Sequence, residues 1–227
     1  MTDGATAGRI AGTRSEAARD SDLARAVWRR VGIAHVIAHT LGAIDVFLLL
    51  WLVLPPPSGV SLYAPTVELA NGIAFAVFLP LTLLIGTAWG TRVGRPWRRF
   101  LAQGRAATQE ERLAALRHPL RSAKIGALLW GVAALLFVAV NARFSFELAY
   151  HVGSTIVLGG LTTSALAYLL TERLMRPITA RALADAPPPR LCGPGVQGRL
   201  VLAWLLATGV PLLGVGFVGV HVLTDGG

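Results

Sequence analysis

Charge is scarce in this chain: 15% of its 227 residues are Asp, Glu, Lys or Arg, 54% are hydrophobic, and the mean hydropathy is +0.59. A soluble domain of this length must cover its core with a polar surface, and too few polar residues are present to do that. Cysteine is nearly missing as well. Cys192 stands alone, which excludes an intrachain disulfide and a cysteine-based metal cluster and leaves a free thiol. The regular apolar and polar alternation of a β-barrel is absent. So is a short leader, since the first apolar run follows about thirty polar and charged residues and is itself about 20 long, beyond the roughly 7–15 of a signal-peptide core. The N-terminus is expected to be retained.

What is present is a series of long uncharged apolar runs, each near the roughly 20 residues that a helix needs to cross a bilayer. Helices satisfy every backbone N–H and C=O internally, as hydrocarbon demands. The sequence therefore predicts an all-α, polytopic transmembrane helix bundle of about five spans, at residues 33–54, 69–90, 123–141, 152–171 and 199–220. Residues 1–22, rich in Gly, Ala, Ser, Thr, Asp and Arg without an apolar period, read as a disordered cytoplasmic tail. Ser21 and Asp22 offer an N-cap to a juxtamembrane helix that passes Trp28 and Arg30 into the first span, which Pro55, Pro56 and Pro57 end. Residues 91–122 and 172–198 read as cytoplasmic loops within a transmembrane domain of residues 23–223.

The net charge of +9 invites a nucleic-acid reading, which the placement of the charges removes. Basic residues sit between the apolar runs and never in the middle of one. Twenty of the 21 Lys and Arg fall before the first span, or in or at the inner edges of the segments between the second and third and between the fourth and fifth; Arg143 is the exception. The positive-inside rule then gives N-in, C-out in the plasma (inner) membrane, with the lipid bilayer as partner and no nucleic acid. In the long basic segment, Thr108 and Glu111 form a T-x-x-E capping pattern ahead of Leu113 and Leu116, which predicts a short surface helix whose Arg112 and Arg117 could meet anionic headgroups.

Two exits share the string R-x-x-R-P: Arg92 to Pro96 after the second span and Arg173 to Pro177 after the fourth. Arginines snorkel to headgroups and proline ends or kinks the helix beyond, so the strings mark equivalent inner ends of two helical hairpins. The fifth span would open a third hairpin without a returning helix, and the expectation is a chain truncated before a sixth span.

The strings Gly104 to Arg121, Glu172 to Leu183, and Pro194-Gly195 to Gly214 carry a resemblance. They resemble the N-terminal membrane domain of actinobacterial, especially mycobacterial, class III adenylate cyclases, over about residues 20–223. The resemblance implies six spans followed by a HAMP linker and a cytoplasmic domain that makes cyclic AMP from ATP. The sixth span, the linker and the cyclase domain have no counterpart in these 227 residues, so no catalytic residue and no cofactor of that family is carried over.

Candidate polar sites are few. Asp45 near the midpoint of the first span costs several kcal/mol if charged and is expected to face Thr162, Thr163 and Ser164 of the fourth span through a protonated carboxyl. His35 and His39 lie one helical turn apart, as two metal ligands would, but no third ligand accompanies them and no metal site is assigned. His39 with Asp45, Thr162, Thr163 and Ser164 forms the candidate intramembrane polar site. Arg143, Glu147 and His151, at i, i+4 and i+8 beside Phe144, Phe146 and Tyr150, form a candidate external site. Gly86 and Gly90, with Gly214, Gly216 and Gly219, permit close helix approach but in Gly-rich spans specify no particular dimer; a homodimer through membrane helices is a separate expectation. The functional expectation is a non-catalytic membrane anchor or sensor module of a receptor-type adenylate cyclase. The alternative is a small stand-alone transporter, disfavoured by the odd span count and the lack of paired broken helices.

Overall fold

The computed structural model describes residues 3–50, 64–186 and 196–204, with positions 212, 215, 216 and 219. Apart from short connections such as 103–108 and 142–145, these residues are helical: α1 Asp3–Leu48, α2 Pro65–Ala102, α3 Gln109–Asn141, α4 Phe146–Leu183 and α5 Val196–Trp204. The first four are each long and apolar enough to cross a membrane. Most of the expected fifth span, with the Pro55 to Pro57 and Pro187 to Pro189 segments, lies outside the described residues.

At about 1.5 Å per residue, the 38 residues of α2 or α4 run to about 57 Å, nearly twice the roughly 30 Å of hydrocarbon. The surplus is the basic sequence expected to form loops. Residues 91–102, 109–122 and 172–183 are instead helical continuations of α2, α3 and α4, and the capping box at Thr108 opens the whole of α3 rather than a separate surface helix. Helix continues through Pro96, Pro119 and Pro177, where proline costs about 3 kcal/mol. Neighbouring side chains offset that cost, because Trp97, Phe100, Leu101, Met175 and Ile178 are buried and each contributes about 1.5–3 kcal/mol.

The tail is corrected in the same way. Helix α1 starts at Asp3, so Ser21 caps nothing and its hydroxyl bonds back to the carbonyls of Ala17 and Ala18 at 3.0 Å. Order comes from tertiary contacts that composition does not reveal. Asp20 is buried against Arg181, with Nε to Oδ2 at 3.0 Å, and Ala17 lies against Gly104, whose φ of +57° closes the α2–α3 turn.

The chain divides into two compact units. One comprises residues 1–36, 89–122 and 168–193, around a core of Val27, Val31, Trp97, Phe100, Leu101, Ala115, Met175 and Ile178. The other comprises residues 37–88, 123–167 and 194–227 and packs Val67, Ala133, Ala134, Leu148, Val152 and Ile156. In this apolar unit large hydrophobic side chains such as Leu83, Leu84, Leu128 and Leu135 are exposed, as lipid-facing residues are. The most apolar stretch of α2 has none of its residues buried against protein, whereas two-thirds of that of α4 are. The buried helix is also the least apolar of the four, since helices in lipid meet through small and hydroxyl residues rather than large aliphatic ones.

Candidate functional site

In the apolar unit, glycines set how close the helices come. A Cβ at Gly42 of α1 would collide with Thr163 Oγ1, and one at Gly159 of α4 would lie 2.5 Å from Val46 Cγ2. A Cβ at Gly160 would lie 2.7 Å from Trp130 Cβ on α3. Helices α1, α3 and α4 therefore meet backbone to side chain.

At this meeting point His39 lies nearly parallel to Trp130, with ring centroids 6.3 Å apart, and the indole N–H donates to His39 Nδ1 at 3.2 Å. An accepting Nδ1 leaves the imidazole proton on Nε2. Gly126 of α3 leaves room for the ring, its would-be Cβ 3.7 Å from His39 Cε1. Among the described residues no group of three His, Cys, Asp or Glu could hold a metal ion.

The expected partnership of Asp45 takes a different form. Thr162 and Thr163 donate their hydroxyls to their own helix, to Leu158 O at 3.1 Å and Gly159 O at 2.7 Å. The Ser164 hydroxyl is buried without a partner among the described residues. No described hydrogen bond joins Asp45 to any of the three. Back-bonding to the preceding turn uses the threonine proton locally, so neither threonine donates across to Asp45. His35 likewise bonds its own helix, Nδ1 to Val31 O at 2.9 Å.

Sequence reasoning missed a second polar contact. Asn71 of α2 and Asn141 of α3 exchange two amide hydrogen bonds, Nδ2 to Oδ1 at 2.9 and 2.8 Å. Each amide also donates one turn back, Asn71 to Val67 O and Asn141 to Phe137 O. Asn141 is fully buried. The available signal was two lone asparagines at the ends of neighbouring apolar runs.

The external triplet does not share one helix. Arg143 lies in the turn that follows α3, while Glu147 and His151 lie on α4, so the i, i+4, i+8 spacing does not place the three on a single face. That turn is closed by Asn141, whose carbonyl accepts from the amides of Phe144 and Ser145.

The polar unit has its own organised site. Thr108 N–H donates to Glu111 Oε2 at 2.9 Å, and Glu111 N–H to Thr108 Oγ1 at 3.3 Å, the reciprocal capping box that the sequence spelled out. Arg105 grips the same carboxylate with two bonds, at 2.8 and 2.7 Å. The Arg105 hydrogen bonds hold the Glu111 carboxyl down at about 2, well below the ordinary range. Nearby, Trp97 donates to His118 Nδ1 at 3.4 Å and meets Trp28 at 6.2 Å, while Arg98 lies over the Trp28 ring at 4.8 Å. Burial first, then the charges of His35 and Arg121, push His118 down to about 4.

The chain is 32% identical over 201 residues to an uncharacterized protein of Mycobacterium tuberculosis, which covers 86% of this chain and 36% of that protein. An uncharacterized protein of Mycobacterium bovis is similar to the same extent. A second uncharacterized protein of Mycobacterium tuberculosis is 31% identical over 195 residues, or 83% of this chain and 33% of that one. The chain spans about a third of the length of the curated relatives it matches. No family model matches it, and no solved structure does.

Proposed function

We propose that this chain is a non-catalytic membrane anchor and sensor module of the kind found in receptor-type adenylate cyclases, spanning the membrane five times with its N-terminus and basic unit in the cytoplasm. The observation that carries this reading is the basic unit itself. A protein that needed only to be anchored could leave its charged connections as loops, whereas here the ends of α1, α2, α3 and α4 have a common buried core of their own. Such a core gives a neighbouring domain a rigid surface to respond to. Supporting it further, the mycobacterial relatives carry about two-thirds of their length beyond the matched region, enough for an output domain. A stand-alone transporter would be better supported by interrupted helices lining a cavity, and α1 to α4 run unbroken through the described residues.

The test is to express a full-length Mycobacterium tuberculosis relative and this chain in a bacterial host lacking its own cyclase, and to assay purified protein with ATP and Mn²⁺. The relative should make cyclic AMP and this chain none. A relative that is folded and silent, or a chain whose activity survives repurification, would sink the reading.

A further inference from the structure

The charges of the polar unit are sorted along its helices. Ion pairs in this unit join Arg25 to Asp22, Arg105 to Glu111 and Arg181 to Asp20. Each of these arginines is eight or more positions from the nearest exposed large apolar side chain. Four other arginines are placed differently. Arg29 and Arg30 come within a turn of Ile33, which is 52% exposed; Arg92 follows Trp89, 42% exposed, by three residues; Arg121 adjoins the exposed Leu120. All four are exposed, and none belongs to a described ion pair. Helices α1 and α2 thus repeat one arrangement inside this unit, an exposed apolar or aromatic side chain followed by an exposed guanidinium about 4–6 Å further from the apolar run, and α3 places Arg121 beside the exposed Leu120 at the inner end of its own apolar run.

That arrangement matches the boundary between acyl chains and phosphates. The apolar side chain suits the hydrocarbon, a tryptophan such as Trp89 suits the headgroup level, and a guanidinium presents a planar fork to phosphate oxygens. A zwitterionic headgroup brings its own cation and gains little from four more. We infer that Arg29, Arg30, Arg92 and Arg121 form a docking surface for the phosphate groups of anionic phospholipids. The inference rests on the exposure and pairing of these residues and is independent of the cyclase reading.

The full chain, reconstituted in phosphatidylcholine nanodiscs containing a minor fraction of phosphatidylglycerol, is re-extracted in mild detergent and its retained lipids are measured by mass spectrometry. Phosphatidylglycerol should be enriched over its bulk fraction. Each Arg→Gln change among the four should lower that enrichment about five-fold, the equivalent of about 1 kcal/mol per basic residue at an anionic surface. The fourfold Arg→Lys variant should keep most of it, and Arg25→Gln should keep all of it. If the fourfold Gln variant fails to fold, Arg92→Gln alone must still show its five-fold loss. The inference is overturned by wild-type protein without enrichment, by a folded Gln variant that retains it, or by soluble glycerol phosphate displacing the lipid at equal concentration, which would mark a site for free phosphate.

Discussion

Glu111 is the residue on which the start of α3 depends, because one carboxylate serves the Thr108 amide and both arms of the Arg105 guanidinium. Its folded value of about 2 lies below the ordinary 4.5. A depressed carboxyl adds stability that is complete above pH 4.5 and is lost as pH falls from there toward 2. Thermal unfolding of the chain in nanodiscs, followed between pH 6 and pH 3, should show this loss, and Glu111→Gln should be less stable at pH 7 with a flatter acid limb. Thr108→Ala, which removes only the hydroxyl half of the cap, should cost about 0.5–2 kcal/mol. An unchanged acid limb in Glu111→Gln would place the sensitive group elsewhere. His118 works in the same direction at higher pH: with its folded value near 4, stability is complete above about pH 6.5 and declines as pH falls from there toward 4.

At the scale of the helix, α2 has the least protein around it of the four membrane-length helices, since none of its most apolar stretch is buried. Dispersion with lipid is as good for such a helix as dispersion with protein, so a polar contact counts for more here than elsewhere. The Asn71 and Asn141 pair is that contact. Asn71→Leu or Asn141→Leu alone should cost about 1–2 kcal/mol, because the remaining amide, fully buried at Asn141 and half-buried at Asn71, loses its cross-helix partner. The double Leu variant should recover part of the loss, and a double-mutant cycle on thermal stability measures it. A strictly additive cycle would mean that the two amides do not act together. Neither asparagine stood out in the sequence, where pairing between residues 70 positions apart has no periodic signature. The capping box did stand out, because its two members are three residues apart and act locally.

For the molecule as a whole, the 20-to-1 basic asymmetry sets the topology to be tested. Reporter fusions at Gln109 and at Gly227 should land on opposite sides of the membrane, with Gln109 inside. Both reporters in the cytoplasm would require an even number of spans. Helix α4 also explains at this scale why the Asp45 site was only partly legible. The expectation that α1 and α4 approach each other at this depth rested on matching polar residues, and the contact is there, through Gly42 and Thr163 and through Val46 and Gly159. Its chemistry differs, because the threonines bond their own backbone and a tryptophan, Trp130, occupies His39.

Properties that depend on nearest neighbours along the chain were settled by the sequence alone. The apolar runs long enough to cross a bilayer, the cap that opens α3 and the segregation of arginine from hydrocarbon each need only a local count or spacing. Helix length past the apolar runs was decided by tertiary structure, since a basic, proline-containing segment is helical here only where Trp97, Phe100 and Ile178 find a core to enter. The order of the N-terminal segment followed the same rule, through Asp20 and Arg181. Which polar groups meet inside the apolar unit was likewise a tertiary matter. A buried amide, hydroxyl or imidazole takes whichever partner lies within about 3 Å, and sequence spacing does not encode a distance between helices.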